Sequence, residues 1–584
     1  MSKQAIFKTI PDSLSQSPPA RGPAGQLAHA DAIEHHKRLL AKLYQIENFA
    51  WCVVGNGLSN QTFVEGPEGI IAIDSGESIE EMQAAVDLLR EFTQTPIIAC
   101  IYTHFHYVNG TQALLGETGG HPLRVYGHAD ITGNLRRMSG EIAPRASRGM
   151  VHQLGLALPA EGEDALLDCG LGRFYRNPEH APFTAGYLPA DFNVTTSTTF
   201  KIAGLDCELI PAPSDATDSL TIWFPELQLC INNLIWPSLY NIYAIRGETY
   251  RDPQILLQGI DAIGDLRPSH LLCTHGPPLS GSAIQPAIID FRDAIAFLWD
   301  QTVRAANLGL GLSEITQSVQ LPGRFKRSYF TQQFYGLAEH HVRQIYNGLF
   351  GWFDEADQHL LPMPEQTRCE RMIAGFGGRA KVIAQIDAAL DDNEADNDVR
   401  WAIELASWLV QAASSSGNKS DQALQDDKQR LANALRQAAQ TTTASNVRNW
   451  CLTRALTLEG RIDTSRFFTH RFRKSELSRH PPATFIPALR VLLDAQKSAD
   501  MNMELAWLFG PNMRTGLRIR HGVAIPTTGL HADYSLTLSA ETWAEILCGE
   551  TNFWIAEEKG LVSISGDRSD VKKYLACLEI PSFH

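Results

Sequence analysis

The first 300 residues alternate between strand-like and helix-like spacing of hydrophobic positions. Two β-rich stretches flank a Gly-Pro turn, and a short apolar strand then ends at Asp74. Apolar residues recur at helical spacing over 80–92, and 96–102 is an apolar run of strand length. Strand-like segments return around 198–210 and 219–231. This alternation predicts a layered α/β domain.

The pattern changes twice further along the chain. From about residue 317 long helical patterns dominate, at 334–350, 397–413 and 422–440, with a polar break at 414–421. From about residue 487 strand-like and helical segments mix again, at 516–523, 534–538, 540–548 and 560–564. We therefore expect an all-α portion followed by a compact α+β domain.

Composition is that of an ordinary globular protein with an acidic balance. Hydrophobic residues make up 44% and charged residues 20%, and the formal net charge is −15. The negative charge argues against nucleic acid as a partner, so an anionic substrate would need a local basic pocket. The chain has no apolar run that predicts a spanning helix and no signal-peptide pattern. Its ten cysteines lack metal-site or disulfide spacing, so we expect a cytoplasmic protein.

Two histidines follow the apolar strand at 96–102. Alternate residues of an extended segment share a face, so His104 and His106 can bind one metal ion together. The carboxyl ends of strands in α/β sheets are where sites usually form. Because an H-x-H pair also occurs in ordinary loops, a metal site needs further ligands from elsewhere in the chain.

Several segments in chain order carry a family resemblance. The segment IYTHFHYVNG at 101–110 resembles the T-H-x-H-x-D-H metal motif of the metallo-β-lactamase superfamily. YNGLFGWFDE at 346–355 resembles the dimerisation-domain signature of the alkyl sulfatases. Segments 221–230, 238–252 and 271–276 resemble the substrate-site and last-ligand segments of that family. The chain is thus similar to the linear alkyl sulfatases from about residue 43 to its end.

The resemblance implies a domain order. It predicts a leader at 1–35, a metallo-β-lactamase αββα sandwich at 36–316, an all-α dimerisation domain at 317–465, and an α+β sterol-carrier-protein-like domain at 466–584. It also implies a homodimer, in which aromatic and apolar faces around 350–354 bury against another subunit or the first domain. The last domain is thought to handle greasy tails in this family.

The metal motif departs from the family at the second metal. The family has Asp-His where this chain has Val108 and Asn109, and a family carboxylate aligns with Asn233. Valine cannot bind a metal, and amide oxygens are poor replacements for carboxylate and imidazole in a zinc site. We therefore predict that the second metal site is lost.

The first metal site keeps its ligands in this comparison. His104 and His106 match, Asp215 stands where the family places a glutamate, and His275 matches the final histidine. Asp218 is the nearest substitute if Asp215 only caps its turn. Two histidines and one carboxylate, with His275 as a candidate fourth ligand, form an open site for one divalent metal. Zinc is the expected ion and iron the alternative, because iron oxygenases use the same ligand set.

Candidate substrate residues follow from the same resemblance. Asn241 and Arg246 match the family's N-L-Y-x-L-R-G segment, where the arginine is thought to contact the sulfate. A guanidinium matches two anionic oxygens, although Arg246 could equally form a scaffold ion pair with Glu248. Tyr107 and Asn109 flank the metal segment and could contact substrate or pack in the wall. No catalytic group is assigned beyond a water activated by the metal.

Three functions remain open from the sequence. The first is hydrolysis of a small anionic ester, such as an alkyl-bearing sulfate ester, with one metal ion in place of two. The second is a repurposed mononuclear iron oxygenase or metal-dependent lyase acting on a small anionic metabolite, since the surviving ligands form one coherent set. The third is a non-catalytic dimeric binding protein, for which an intact anion pocket and the end domain would suffice.

Overall fold

The computed structural model describes residues 14, 18–236, 238, 242–391, 398–413, 422–478 and 481–584. The chain divides into two compact units, Met1–Gly133 with Arg148–Thr464 and Asn134–Ser147 with Ser465–His584. Asn241 and the predicted break at 414–421 lie outside the described residues. No helix among the described residues is both long and apolar enough to cross a bilayer.

The larger unit begins with the short paired strands β1 (Ala20–Arg21) and β2 (Leu27–Ala28), and a seven-stranded sheet follows them. Its strands pair in chain order: the first four pair antiparallel, and the fourth to the seventh pair parallel. They are β3 (Lys42–Ile46), β4 (Ala50–Val54), β5 (Gln61–Gly66), β6 (Gly69–Ile73), β7 (Ile97–Ile101), β8 (Arg124–His128) and β9 (Phe192–Val194). The helices of this stretch are α1 (Ala30–His36), α2 (Ile79–Leu89), α3 (Ile131–Ser139) and α4 (Ala143–Gln153).

A second sheet of six strands follows, also in chain order. Its strands are β10 (Thr198–Ile202), β11 (Leu205–Pro211), β12 (Leu220–Phe224), β13 (Leu229–Asn232), β14 (His270–Cys273) and β15 (Leu279–Ser280). Helix α5 (Pro253–Leu266) connects β13 to β14, and α6 (Ile284–Asn307) follows β15. The strand-like run 198–210 is therefore a hairpin, because Ala203 and Gly204 both adopt positive φ (50° and 82°) and turn the chain.

Packing of these two sheets gives the predicted sandwich. Ile71 and Ile101 of the first sheet share one buried core with Leu209 and Ile231 of the second. The neighbouring residue Cys230 points the other way, into a core formed with α5 and α6. β13 is buried along its whole length because both faces of its sheet are covered. The predicted layered α/β sandwich is thus confirmed.

The described residues of the helical part of the larger unit form α7 (Leu312–Ser318), α8 (Ala338–Phe350), α9 (Asp357–Leu360), α10 (Glu365–Gly375), α11 (Arg379–Leu390), α12 (Val399–Ala413), α13 (Gln422–Thr441) and α14 (Ser445–Leu458). The prediction of an all-α portion is confirmed. The helix predicted from 334 begins at Ala338, because the residues before it bond to the first domain: Tyr335 N–H donates to Ser238 Oγ (3.1 Å) and Leu337 N–H to the Tyr243 hydroxyl (3.1 Å).

The smaller unit has an α+β fold around a five-stranded sheet of order β18-β17-β16-β19-β20, with β16 (Asn502–Leu508), β17 (Arg514–Arg520), β18 (Val523–Thr527), β19 (Tyr534–Leu538) and β20 (Val562–Ser565). Its helices are α15 (Lys474–Leu477), α16 (Ala540–Cys548), α17 (Phe553–Glu558) and α18 (Arg568–Leu575). The predicted segments 534–538 and 540–548 are found at those bounds, and the Ser539 side chain caps α16. The segment 516–523 instead spans a hairpin turn at His521 and Gly522.

Candidate metal centre

Two imidazoles meet directly after β7. His104 continues the strand in an extended conformation, and a short 3₁₀ turn at Phe105–Tyr107 then brings His106 back towards it. His104 Nε2 lies 3.0 Å from His106 Nδ1. His104 is fully buried, whereas the His106 side chain keeps 17% of its surface exposed. The predicted pair therefore presents two ring nitrogens to one point.

Asp215 supplies a carboxylate at the same point, from the turn between β11 and β12. Its Oδ2 lies 3.2 Å from His106 Nδ1 and its Oδ1 lies 3.7 Å from His104 Nε2. The ligand atoms of these three residues lie within 4.8 Å of one another, and theirs is the one such group in the described part of the chain. The structure thus gathers Asp215 with the histidines rather than Asp218.

The hydrogen bonds behind His104 fix which ring nitrogen can bind a metal. Thr103 Oγ1 donates to Asp74 Oδ2 (2.7 Å), so the same oxygen accepts from His104 Nδ1–H at 2.9 Å. The lone pair of His104 then lies on Nε2, facing His106 and Asp215. Burial lowers the pKa of His104 to about 3, which keeps the ring neutral at pH 7. A neutral, oriented imidazole beside a carboxylate fits a divalent ion.

His275 lies beside this group but outside it. Its Nδ1 donates to the Leu58 carbonyl at 3.0 Å, and its Nε2 lies 3.4 Å from the Tyr107 hydroxyl. The rings of Tyr107 and Trp236 contact it edge-on. Burial lowers the pKa of His275 to about 4, so its Nε2 carries a lone pair at pH 7. His275 as a fourth ligand stays a prediction.

The three positions at which the sequence predicts loss of second-metal ligands all make contacts within the fold. Val108 is fully buried, and its backbone pairs with Gly76. The Asn109 N–H donates to the Gly76 carbonyl at 3.1 Å. Asn233 Nδ2 donates to Asp215 Oδ1 at 2.7 Å, so this amide orients the remaining carboxylate.

Arg246 is buried near the metal centre and has a carboxylate partner. Its Nη1 donates to Glu248 Oε2 at 2.8 Å. Burial opposes the charge of Arg246, but Glu248 and then the neighbouring tyrosine and aspartate groups outweigh burial and raise its pKa. The scaffold ion pair considered from the sequence is therefore present, next to a centre whose Asp215 charge also acts on the guanidinium.

Two residues that sequence reasoning missed support Arg246. Gln153, at the end of α4, accepts the Arg246 N–H at Oε1 (3.0 Å) and donates from Nε2 to the Tyr335 hydroxyl (2.8 Å). Tyr335 belongs to the helical domain and lies edge-on to Trp236. No local signal marks these residues, because their contacts join segments separated by 93 and 182 positions.

Comparison with known proteins places these features in one family. The family models described as alkyl sulfatase dimerisation and alkyl sulfatase C-terminal match residues 311–461 and 474–584. A linear primary-alkylsulfatase from Pseudomonas sp. is 29% identical over 536 residues, covering 88% of this chain and 98% of the relative. An (R)-specific secondary-alkylsulfatase from Pseudomonas sp. is 28% identical over 563 residues, covering 93% and 80%.

A solved structure shows the same fold. The stereoselective inverting sec-alkylsulfatase Pisa1 from Pseudomonas sp. superposes with a TM-score of 0.80 at 23% identity, over 99% of this chain and 93% of that one. Two family models in sequence order, together with relatives aligned over most of the chain, show that this protein belongs to the alkyl sulfatase family of hydrolases.

Proposed function

We propose that the protein hydrolyses sulfate esters of alkyl alcohols with a single divalent metal ion. The observation that carries this proposal is the buried group of His104, His106 and Asp215 in a chain of the alkyl sulfatase family. A divalent ion held by these residues would supply polarisation of a water molecule or an ester oxygen. Zinc is the proposed ion, because two imidazoles and a carboxylate suit it.

The remaining site residues bind and orient. Arg246 is proposed to face the sulfate group, held in place by Gln153 and balanced by Glu248. Asn241, Tyr107 and Asn109 remain substrate-binding candidates. The C-terminal unit is proposed to handle the alkyl tail, and a cytoplasmic location agrees with ten unpaired cysteine thiols.

The test is turnover of a linear alkyl sulfate by protein with its metal content determined. Sulfate release that scales with bound zinc, at about one zinc per chain, would support the proposal. Two metals per chain would contradict the single-ion centre. A metal-loaded protein that binds alkyl sulfates without turnover would contradict hydrolysis and favour the dimeric binding protein.

A second candidate rests on the ligand types. Two histidines and one carboxylate with open positions are the set that mononuclear iron oxygenases use. Iron as the bound metal after purification without added metal, with oxygen consumption on an anionic substrate, would favour an oxygenase over the hydrolase. Turnover of such a substrate without oxygen would favour the lyase alternative.

Replacing Arg246 with alanine is expected to weaken binding of inorganic sulfate by about 10- to 100-fold, the usual scale for a hydrogen bond to a charged group. The reason is that the substitution leaves Glu248 beside the anion without its counter-charge. Isothermal titration calorimetry measures the effect. The exposed pair Arg292–Asp261 provides the control, and Arg292→Ala should leave sulfate affinity within about twofold. Equal sulfate affinity in Arg246→Ala and wild type would rule out this role for Arg246.

The homodimer proposal centres on exposed apolar side chains after α8. Trp352 is 73% exposed and Leu361 is 88% exposed, and Phe350, the last residue of α8, is also exposed. Burial of such residues by a second copy would remove apolar surface from water. Trp352→Ser is expected to weaken dimerisation by about 2 kcal/mol or more, measured by sedimentation equilibrium. Phe92→Ser, at another exposed aromatic residue, should leave the association unchanged. An unaltered dimer in Trp352→Ser would place the interface elsewhere.

A further inference from the structure

The loop after β6 brings an acidic residue to the segment 107–109, where Val108 and Asn109 replace the Asp-His of the family motif. This loop runs alongside the metal-binding segment: Ser75 N–H donates to the Tyr107 carbonyl (2.8 Å), and the Gly76 carbonyl accepts from Asn109 N–H (3.1 Å). Gly76 also pairs with Val108. Glu77 is the next residue, so its backbone directly follows the part of the loop that is bonded to positions 107–109.

Glu77 forms a buried acid pair with Glu81 at the start of α2. The Glu77 N–H donates to Glu81 Oε2 (3.3 Å), and Gln61 Nε2 donates to Glu81 Oε1 (2.9 Å). Glycine at positions 57 and 76 makes room for this group, since a Cβ on either would lie 2.4 Å from Glu81 Oε1. Glu81 is thus fixed in a tight, fully buried cradle, and its charge acts directly on Glu77.

One oxygen of Glu77 remains available for a ligand. Arg176 N–H donates to Oε2 at 2.9 Å, and no donor in the described part of the chain reaches Oε1. The Glu77 charge acts on Tyr107, whose ring lies edge-on to those of His104 and His275. Burial raises the pKa of that phenol, and the charges of Asp215 and Glu77 raise it further, so both carboxylates act on the same hydroxyl.

Proton occupancy of the pair follows from its surroundings. Burial, and then the charge of Glu81, raise the pKa of Glu77 well above its ordinary value, against the opposing effects of the Arg176 backbone and guanidinium. Burial raises the pKa of Glu81 to about 7. The charge of Glu77 also acts on three neighbouring ionisable groups, Tyr107, Tyr175 and Cys169, whose pKa values are raised by burial and raised further by this charge. Two like-charged acids that share a buried site hold a proton near neutral pH, which is the condition for general acid–base chemistry.

We propose that Glu77 is a catalytic acid–base residue of this centre, which passes one proton between the attacking water and the leaving ester oxygen. This inference rests on the proposed sulfate ester hydrolysis. Glu81 acts through Glu77 as its positioning residue.

The reaction requires one proton to be removed from the water and one to be added to the ester oxygen, and Glu77 is proposed to carry out both transfers. R–O–SO₃⁻ and water give R–OH and HSO₄⁻, whichever of the two ester bonds breaks. In either case the water oxygen forms the new bond, the ester oxygen leaves with the bonding electron pair, one proton leaves the water and one arrives on the ester oxygen. Glu77 in its acid form donates the second proton and takes up the first, so it ends the turnover as it began.

The experiment combines infrared spectroscopy with steady-state kinetics on metal-loaded Glu77→Gln, which keeps the acceptor for Arg176 N–H. At pH 7 the wild-type protein should show a protonated carboxyl band that the variant lacks. The kcat of Glu77→Gln for a linear alkyl sulfate should be about 100-fold or more below that of the wild-type protein, with metal content unchanged. Glu77→Asp should recover part of kcat, because it restores an ionisable carboxyl group. The matched control is Glu80→Gln, at the start of α2 beside Glu81, whose carboxylate instead bonds to Thr184, and it should stay within about twofold of wild type.

Each outcome decides the assignment. Wild-type kcat in a metal-loaded Glu77→Gln protein would overturn it and leave the proposed function standing. An equal loss in Glu77→Asp and Glu77→Gln, without the carboxyl band in the wild-type protein, would also overturn it. Absence of sulfate ester turnover in metal-loaded wild-type protein would overturn the proposed function and this catalytic role together, whereas loss confined to the variant separates the two.

Discussion

His104→Ala is expected to remove the metal ion and, with it, the hydrolytic activity. His104 is fully buried, and its Nε2 faces both His106 and Asp215. Without it, two ligands remain, and the affinity should fall by more than the 10- to 100-fold that typically follows loss of a residue supporting a ligand. Plasma mass spectrometry after dialysis measures the metal, and sulfate release from a linear alkyl sulfate measures the activity.

A control histidine separates this effect from general damage. His270 lies at the start of β14, where its ring bonds to Ser280 and Glu47 outside the centre. His270→Ala should therefore keep about the wild-type metal content. If His104→Ala retained stoichiometric metal, the ion would have to bind elsewhere and the centre described above would be wrong.

Much of the fold could be predicted from hydrophobic spacing alone. The patterns predict β7, α12, β19 and α16 within a few residues of their bounds, because each has an uninterrupted periodic pattern. The pattern fails where a run contains a tight turn. The segments 198–210 and 516–523 are each predicted as strand-like, but each contains a hairpin turn made by two residues with positive φ. A two-residue turn leaves the alternating pattern almost unchanged, so periodicity cannot locate it.

The candidate site could be predicted where its residues lie in recognisable segments. Extended spacing predicts that His104 and His106 share a face, and the family resemblance predicts Asp215. The structure gathers these three residues, but a 3₁₀ turn at Phe105–Tyr107, and not extended backbone, brings His106 to His104. The orientation of His275 depends on the Leu58 carbonyl, 217 positions away, which no local pattern reveals.

The acid pair and the Arg246 support were missed for a related reason. Glu77 lies just before α2, and Glu81 lies in its first turn. Acidic residues are common at helix N-termini because they interact favourably with the helix dipole, so the sequence offers no reason to assign these two a catalytic role. Their significance comes from burial and from the loop contact with 107–109, both of which exist only in the folded chain. Gln153 and Tyr335 likewise acquire a role only when two domains meet.

The double substitution Val108→Asp with Asn109→His is expected to raise the metal content from about one ion per chain to about two. The new carboxylate and imidazole would join His275, whose Nδ1–H bond to Leu58 leaves the Nε2 lone pair for a metal. Metal-free protein should be destabilised by several kcal/mol, because the new carboxylate would replace the fully buried side chain of Val108. Zinc should recover much of this loss, since an ion that binds only the folded state stabilises it.

Metal titration with thermal unfolding tests both parts of this expectation. Val108→Asp alone is the matched control, since it carries the cost of the buried carboxylate without the second new ligand, and it should bind the added ion more weakly. One ion per chain in the double variant would mean that lost ligands are not the whole reason for a single-metal centre. The neighbouring loop with Glu77 would then be the structural obstacle, because it is bonded along the same 107–109 segment that the second ion would have to approach.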